Sequence, residues 1–441
     1  MAKSKKRAES SELPVEEKKR GRRKAETSPA PTVEVRCERC AGIDVHKEQI
    51  TVCLVVGDRK EIREYGTMTG DILECMDWLL EEGCEVALME STSSYWKPIY
   101  NLFEASEIKI KVANAFSVKQ ISGRRTDVQS SEWLATLVRF DLVKTSYIPK
   151  RDQRELRELV RYRNSLVQHR ASEVNRIHKV LEGANIKLSS VVSDMQGVTA
   201  ISILRLMATG EVDPVILSLE AKGSLRSKVP QLQKALQGSI GQHQQKMLFL
   251  QLEHYDHLCG LIMELDEEIK KKLKSEDEVI DRLCAMPGVA RRSAERILAE
   301  TGTDMAHFPS ADHLASWAGL APGANESAGV KKKAPTLPGN THLRSILIEC
   351  AWAATKAKQN FYRSRYWRLA PRCGKKRAAT GVARSMLVTI YHMLKNNTPY
   401  VELGADYFTR MDAEKIAKRS LRNLESLGYM VSVTPPQPVA G

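Results

Sequence analysis

From Cys40 onward the chain alternates short runs rich in β-branched residues with amphipathic stretches, and this alternation restricts the fold more than any other feature. Ile50 to Val56, Glu61 to Tyr65, Val86 to Met89 and Ile108 to Val112 read as strands, with Gly57-Asp58 as the turn between the first two. Ile72 to Leu80 and Tyr95 to Phe103 space their apolar residues by threes and fours, as helices lying on a sheet do. A strand hairpin followed by alternating helix and strand is an α/β layer structure. Three carboxylates fall at informative places in it. Asp44 lies on the first strand, in Gly42-Ile43-Asp44-Val45-His46; Glu90 ends the strand Val86-Ala87-Leu88-Met89; Asp127 begins a helix after Gly123-Arg124-Arg125-Thr126. Strand ends and an adjacent helix start can converge on one cleft, and convergent carboxylates are what two magnesium ions need to bridge a scissile phosphate. Taken singly, each acid also reads as a surface or capping residue, and Asp127 as a helix N-terminal charge.

From about Arg151 to Leu273 the pattern becomes helical. Val167, Val174, Ile177 and Leu181 form one seam, and Tyr255, Leu258, Ile262, Leu265 and Ile269 form a second with heptad spacing, which predicts a long hairpin or coiled coil. Packing of a simple bundle within one chain is the alternative. Arg163 and Arg170 interrupt the first seam, and Gly183, Gly197 and Gly210 are expected to break the helices between the two. Met286-Pro287-Gly288-Val289 then joins two short helical stretches, Val279 to Leu283 and Ser293 to Glu300, in the manner of a helix-hairpin-helix. Backbone N–H groups exposed at its turn would suit a phosphate, although a plain helical hairpin has the same pattern. The chain of 441 residues is longer than one core usually serves. Its expected divisions are a basic tail over 1–36, too poor in large apolar side chains to order itself, an α/β domain over 37–150, a helical linker over 151–275, a mostly α-helical domain over 276–405 and an extension over 406–441.

Charge narrows the partner. Between Lys331 and Arg384 fourteen basic residues face Glu349 alone, a local balance of +13 in a chain whose net charge is +14. Such a stretch needs a polyanion, and no apolar run approaches the roughly 20 residues of a membrane span, so nucleic acid is the expected partner and the membrane is not. The candidate contacts are Lys331, Lys332, Lys333, Arg344, Arg363, Arg365, Arg368, Lys375, Lys376 and Arg377, with Tyr362, Tyr366 and Trp367 among them. Those aromatics, with Phe361, read equally as the buried face of a helix. Ser327, in Asn325-Glu326-Ser327-Ala328-Gly329, opens onto this stretch as an exposed nucleophile would, or as a solvated turn. Nine irregularly spaced cysteines suit a reducing cytoplasm without disulfides. Cys37 and Cys40 with His46 make at most half of a zinc site.

Together these pieces resemble the transposases of the bridge-RNA-guided insertion sequences, which join an RNase H-like (RuvC-like) domain to a small C-terminal serine transposase domain. The resemblance runs from about Gly42 to Leu403. Gly42 to His46, Thr126-Asp127-Val128 with Glu132-Trp133-Leu134-Ala135, and the block from Ser327 to Arg344 carry most of it. It implies an Asp-Glu-Asp-Asp set holding Mg2+ and a serine nucleophile: Asp44, Glu90 and Asp127 match the first three acids, and Ser327 the serine. The fourth acid, due one helical turn after Asp127, is replaced by Ser130, and Glu132 two residues later points to another face. The resemblance further implies strand exchange between a donor and a target double-stranded DNA, each selected by pairing with a structured noncoding guide RNA, in a homo-oligomer (dimer or tetramer) at the nucleoid in the cytoplasm. A serine ester would retain the energy of the broken phosphodiester for rejoining. A junction-resolving nuclease without a covalent intermediate, and a nucleic-acid-binding homologue that has lost its metal site, fit the same residues. A sugar-kinase-like ATPase is disfavoured, because no Gly-rich phosphate loop is present.

Overall fold

Strand β1 (Arg39–Val45) turns back into β2 (Gln49–Val56), closed by the His46 N–H donating to Gln49 O at 2.9 Å, and β2 turns at Gly57 into β3 (Arg59–Gly66). Helix α1 (Thr69–Glu81), β4 (Val86–Glu90), α2 (Trp96–Phe103), β5 (Lys109–Ala113) and α3 (Asp127–Arg139) follow. β1, β2 and β3 are antiparallel neighbours, while β4 and β5 add parallel to β1, giving the order β3-β2-β1-β4-β5. In the computed structural model residues 34–91, 93–115, 118, 127–323, 326–327, 330–331, 336 and 338–430 are described. The chain divides between Ile148 and Pro149 into two units. Nearly all of the expected basic tail lies outside the described residues.

The first unit buries its sheet on both faces, which is why β2 reads as an almost unbroken apolar run. Ala41, Ile43, Val45, Val52, Leu54, Ala87 and Met89 pack against Ile72, Trp78 and Leu79 of α1 and Ile99 and Phe103 of α2. The alternate positions Cys40, Cys53, Val55, Val86 and Leu88 meet Leu134, Ala135, Leu137 and Val138 of α3. Between them Gly42 has no room for a side chain, since a Cβ there would lie 2.1 Å from Ser131 O and 2.2 Å from Ala135 N. The Cys40 thiol reaches Ala135 O at 3.7 Å, so α3 lies directly on β1 and antiparallel to it: Ala135 over Cys40, Ser131 over Gly42. Its first residue, Asp127, therefore starts at the Asp44 end of the strand. Gly42→Ala is expected to lift α3 from the sheet. Because both obstacles are backbone, the cost should reach the upper end of overpacking penalties, about 3 kcal/mol, seen as a lower unfolding midpoint. An unchanged midpoint would remove this contact from the fold.

In the second unit α4 (Arg151–Gly183) packs along α8 (Gln242–Lys272), and between them in sequence come α5 (Val198–Ala208), α6 (Pro214–Ser218) and α7 (Val229–Ala235). Leu166, Leu258 and Ile262 fill the middle of the hairpin, and Ile177, Leu181, Leu248 and Leu252 close on the short helices at its end. Arg163 stands in the seam, as its spacing suggested. Buried there, it places Nη1 2.8 Å from Asp266 and 2.8 Å from Glu295, so the charge is paired where it is desolvated.

The chain continues through α9 (Asp277–Cys284), α10 (Arg291–Thr301) and α11 (Ala311–Trp317), the short strands β6 (Glu326–Ser327) and β7 (Val330–Lys331), then α12 (Thr341–Lys356), α13 (Phe361–Cys373), α14 (Lys375–Asn396) and α15 (Tyr407–Ser426). α14 is central, with Val382, Met386, Leu387 and Ile390 buried. The two short helices α9 and α10 are present, but the turn between them is not free on its glycine side. Gly288, at φ +84°, sits on α12 so closely that a Cβ would lie 2.4 Å from Cys350 O and 2.6 Å from Ala354 N. This glycine allows the turn to pack closely on α12. Among the described residues no helix is long and apolar enough to cross a membrane.

Candidate active site

The β1–β4 register pairs Gly42 with Leu88 and Ile43 with Met89, and one residue further it brings Asp44 level with Glu90. The pairing ends at Ile43 and Met89, and by alternation the next residues, Asp44 and Glu90, fall on the same sheet face as Gly42 and Leu88. That face is the one covered by α3, whose first turn begins at this end. The backbone positions of Asp44, Glu90 and Asp127 thus gather at one end of the sheet, although the Asp127 side chain lies outside the described residues. The Asp44 side chain is 12% exposed, with His46 Nε2 3.5 Å from its Oδ2. On its other side Asp44 pairs with Thr51, wholly buried, whose hydroxyl has no partner among the described residues. Glu90 is half-buried. Among the described residues no three His, Cys, Asp or Glu side chains are grouped to hold a metal ion.

Ser130 is half-buried on α3, while Ser131 is the residue turned onto Gly42, its hydroxyl donating to Val128 O at 2.9 Å. Glu132 does point elsewhere. Its Oε1 lies 2.5 Å from Lys60 Nζ, and Lys60 stands in the row of Val55 and Cys40, four residues along β1 from Asp44. The half zinc site does not form. Cys37 precedes β1 and Cys40 lies at its start, while His46 lies beyond its end, about 20 Å from Cys40 at 3.3 Å per residue. Burial also pushes the Cys40 thiol up to about 12, away from the thiolate a metal would need.

Ser327 is the last residue of β6 and pairs with Val330 of β7, with a further bridge between Pro322 and Thr336. The side chains of Ser327 and Lys331, and all of Lys332 and Lys333, lie outside the described residues. What the structure adds is the anchor of this hairpin. The Asn340 N–H donates to Trp317 O at 2.9 Å, and a Cβ on Gly339 would meet Gly319 N at 2.3 Å, so the outgoing and returning chains touch at the neck. Asn340 also caps α12 by accepting the Leu343 N–H and donates to Glu300 Oε2 at 2.6 Å. Glu300 is buried, held by two hydrogen bonds from Arg161 at 2.7 and 2.8 Å and by Arg157 at 3.2 Å. Burial alone would raise its carboxyl, but the Arg161 hydrogen bond, the Arg157 charge and Asn340 outweigh it and hold the group below the usual carboxylate range. Sequence reasoning missed this network. Its one legible sign was Asn340 standing before a helix as an N-cap.

The residues of the basic stretch differ in their surroundings. Arg344 and Arg363 are half-exposed and Lys375, Lys376 and Arg377 exposed, with no acidic partner among the described residues. Arg368 instead forks onto Asp412 of α15 and lies over the Phe408 ring at 5.1 Å. Arg365 is half-buried, its Nε lacking a partner and its pKa lowered by burial. Tyr362 and Tyr366, four residues apart, form the buried stripe of α13, with the Tyr362 hydroxyl donating to Thr389 of α14 at 3.1 Å. Of the expected surface aromatics only Trp367 is exposed, at 55%.

Residues 41–186 match the DEDD transposase model of IS110 elements, and residues 280–366 match the model of the IS116/IS110/IS902 transposase family. The chain is 26% identical over 206 residues to the transposase for insertion sequence element IS1328 of Yersinia enterocolitica, covering 45% of this chain and 50% of that protein. It is 28% identical over 151 residues to the pilin gene-inverting protein of Moraxella bovis, covering 33% and 46%. Over 125 residues it is 36% identical to an uncharacterized 43.6 kDa protein of insertion element IS110 from Streptomyces coelicolor, covering 27% and 29%. The chain spans about half the length of these relatives or less. The two family models nevertheless match in order, one from the sheet into α4 and one from α9 to α13, over just over half of the residues, and the chain belongs to the IS110 family of transposases.

Proposed function

We propose that this chain is the recombinase of an insertion sequence, exchanging strands between donor and target DNA through a phosphoserine on Ser327, with metal-assisted chemistry at Asp44, Glu90 and Asp127. A structured RNA encoded beside the element selects the two DNAs by pairing, and the protein acts as a homo-oligomer at the nucleoid. The observation that carries the reading is the gathering of those three acidic positions at one end of the sheet, by the β1–β4 register and the seating of α3 on Gly42. The order β3-β2-β1-β4-β5, an antiparallel hairpin continued by two parallel strands, supports an RNase H-like (RuvC-like) assignment. Two relatives named for transposition and for gene inversion support recombination over simple hydrolysis.

The donors fit magnesium. Asp44 and Glu90 supply hard carboxylate oxygens on one face, and beside Asp44 the buried Thr51 hydroxyl has no partner among the described residues. Bound there, magnesium supplies charge stabilisation at the scissile phosphate. Ser327 Oγ attacks the phosphorus, the bond to one DNA oxygen breaks as the bond to Oγ forms, and the departing oxygen takes up a proton. One phosphodiester is exchanged for another, so rejoining needs no outside energy. Ser130, with Glu132 engaged by Lys60, supports a second reading, a homologue whose cleavage is impaired.

The test supplies purified protein with the RNA transcribed beside its gene, both duplexes and magnesium. Joined products and a protein-linked strand are expected. Free ends without a protein-linked strand would make it a nuclease, and tight binding without cleavage would favour the impaired homologue.

A further inference from the structure

Two tryptophans of the second unit stand out of the core where the chain carries its positive charge. Trp352 of α12 is 37% exposed and Trp367 of α13 55% exposed, and both rest on the buried Tyr366, at ring distances of 5.6 and 5.2 Å. One flank of α13 is occupied: Phe361 stacks on Phe408, Ser364 bonds Ala405 O and Arg368 holds Asp412. Arg363 and Trp367, four residues apart, share another flank, as Trp352 and Lys356 share one flank of α12. Arg363, Lys356 and Lys358 have no acidic partner among the described residues, and neither do Arg372, Lys375, Lys376 and Arg377 beyond the end of that flank. The indoles pack on Tyr366 yet leave part of their apolar surface in water, and an aromatic face bordered by unneutralised cations matches the two surfaces of a nucleotide, its base and its phosphate.

We infer that Trp352 and Trp367 form a stacking platform for unpaired bases of a nucleic acid whose backbone lies along Arg363, Lys356 and Lys358. The inference rests on the nucleic-acid reading of the basic stretch and adds what that reading leaves open, the strandedness of what this surface takes. A duplex hides its base faces and would meet only the cations.

The full-length protein is titrated with fluorescein-labelled oligothymidylate of twenty nucleotides and with a duplex of equal phosphate number, at several salt concentrations. Trp367→Ala should weaken oligothymidylate binding about tenfold or more, leave duplex binding unchanged and leave the salt slope unchanged, because stacking releases no counterions. Trp367→Phe should recover most of the loss, and binding should quench the indole fluorescence of the wild type more than that of Trp367→Ala. Arg363→Gln should act differently, lowering the salt slope for both probes by about 0.7 to 0.9. Equal affinity of Trp367→Ala and wild type for oligothymidylate overturns the platform. So does equal weakening toward both probes, or a changed oligomeric state in light scattering with unchanged affinity, which would make the face a contact between copies. If the wild type binds neither probe in a salt-dependent way, the nucleic-acid reading falls, and the platform falls with it.

Discussion

With Ser327 replaced by alanine, no DNA strand should remain attached to the protein on a denaturing gel, while binding of RNA and DNA persists. The expected effect is complete rather than graded, since the substitution deletes the atom that would form the bond to phosphorus and no water can substitute for it in a protein-linked product. Binding should survive because the anchor of the hairpin lies elsewhere. The neck is closed by Gly339 against Gly319, by Asn340 on Trp317 O, and by the Glu300 network with Arg157 and Arg161. None of these contacts involves position 327. An adduct that persists in the alanine variant would take Ser327 out of the mechanism. Loss of RNA binding together with the adduct would instead make its role one of folding.

Both the legible and the illegible parts of this site have physical causes. The sheet could be read because strands have a period of two and each run ended at a turn residue. Asp44, Glu90 and Asp127 could be placed on their elements for the same reason. That their backbone positions gather at one end of the sheet could not, because it depends on Gly42 accepting the backbone of α3, a contact between residues about ninety positions apart that leaves no periodic trace. The Glu300 network was equally invisible, joining Arg161 to a residue 139 positions away. In α13 the pattern itself was ambiguous. Tyr362 and Tyr366 repeat at four residues whether a helix turns them inward or outward, and only the packing on Thr389 and Trp352 decides. Arg368 looked free because its partner Asp412 lies 44 positions on, in a helix read from sequence only as an extension.

In the proposed site Ser130 stands where the resemblance implies a fourth acid, and this reading predicts a gain of function. At Ser130 a carboxylate would add a full negative charge and up to two oxygen ligands, whereas a hydroxyl is neutral and a poor magnesium ligand. Neither Glu132 nor Ser131 stands in for that acid. Glu132 is drawn to Lys60 toward the other end of β1, and Ser131 is turned onto Gly42 with its hydroxyl on Val128 O. Ser130 lies one helical turn from Asp127, and so on the same side of α3, at the end that carries Asp44 and Glu90. Ser130→Asp should therefore raise the cleavage rate and lower the magnesium concentration required for it, by about tenfold for each 1.4 kcal/mol of added ligand binding. Asp44→Ala should eliminate cleavage in either background, because it removes the central carboxylate of the group. Cleavage is measured across a magnesium titration with binding of RNA and DNA held saturating, so that a change in affinity for nucleic acid does not enter. Identical rates and identical magnesium dependence in Ser130→Asp and its parent would mean that the missing ligand comes from outside α3. In that case the group at this end of the sheet is completed by a residue that the one-turn spacing from Asp127 does not identify.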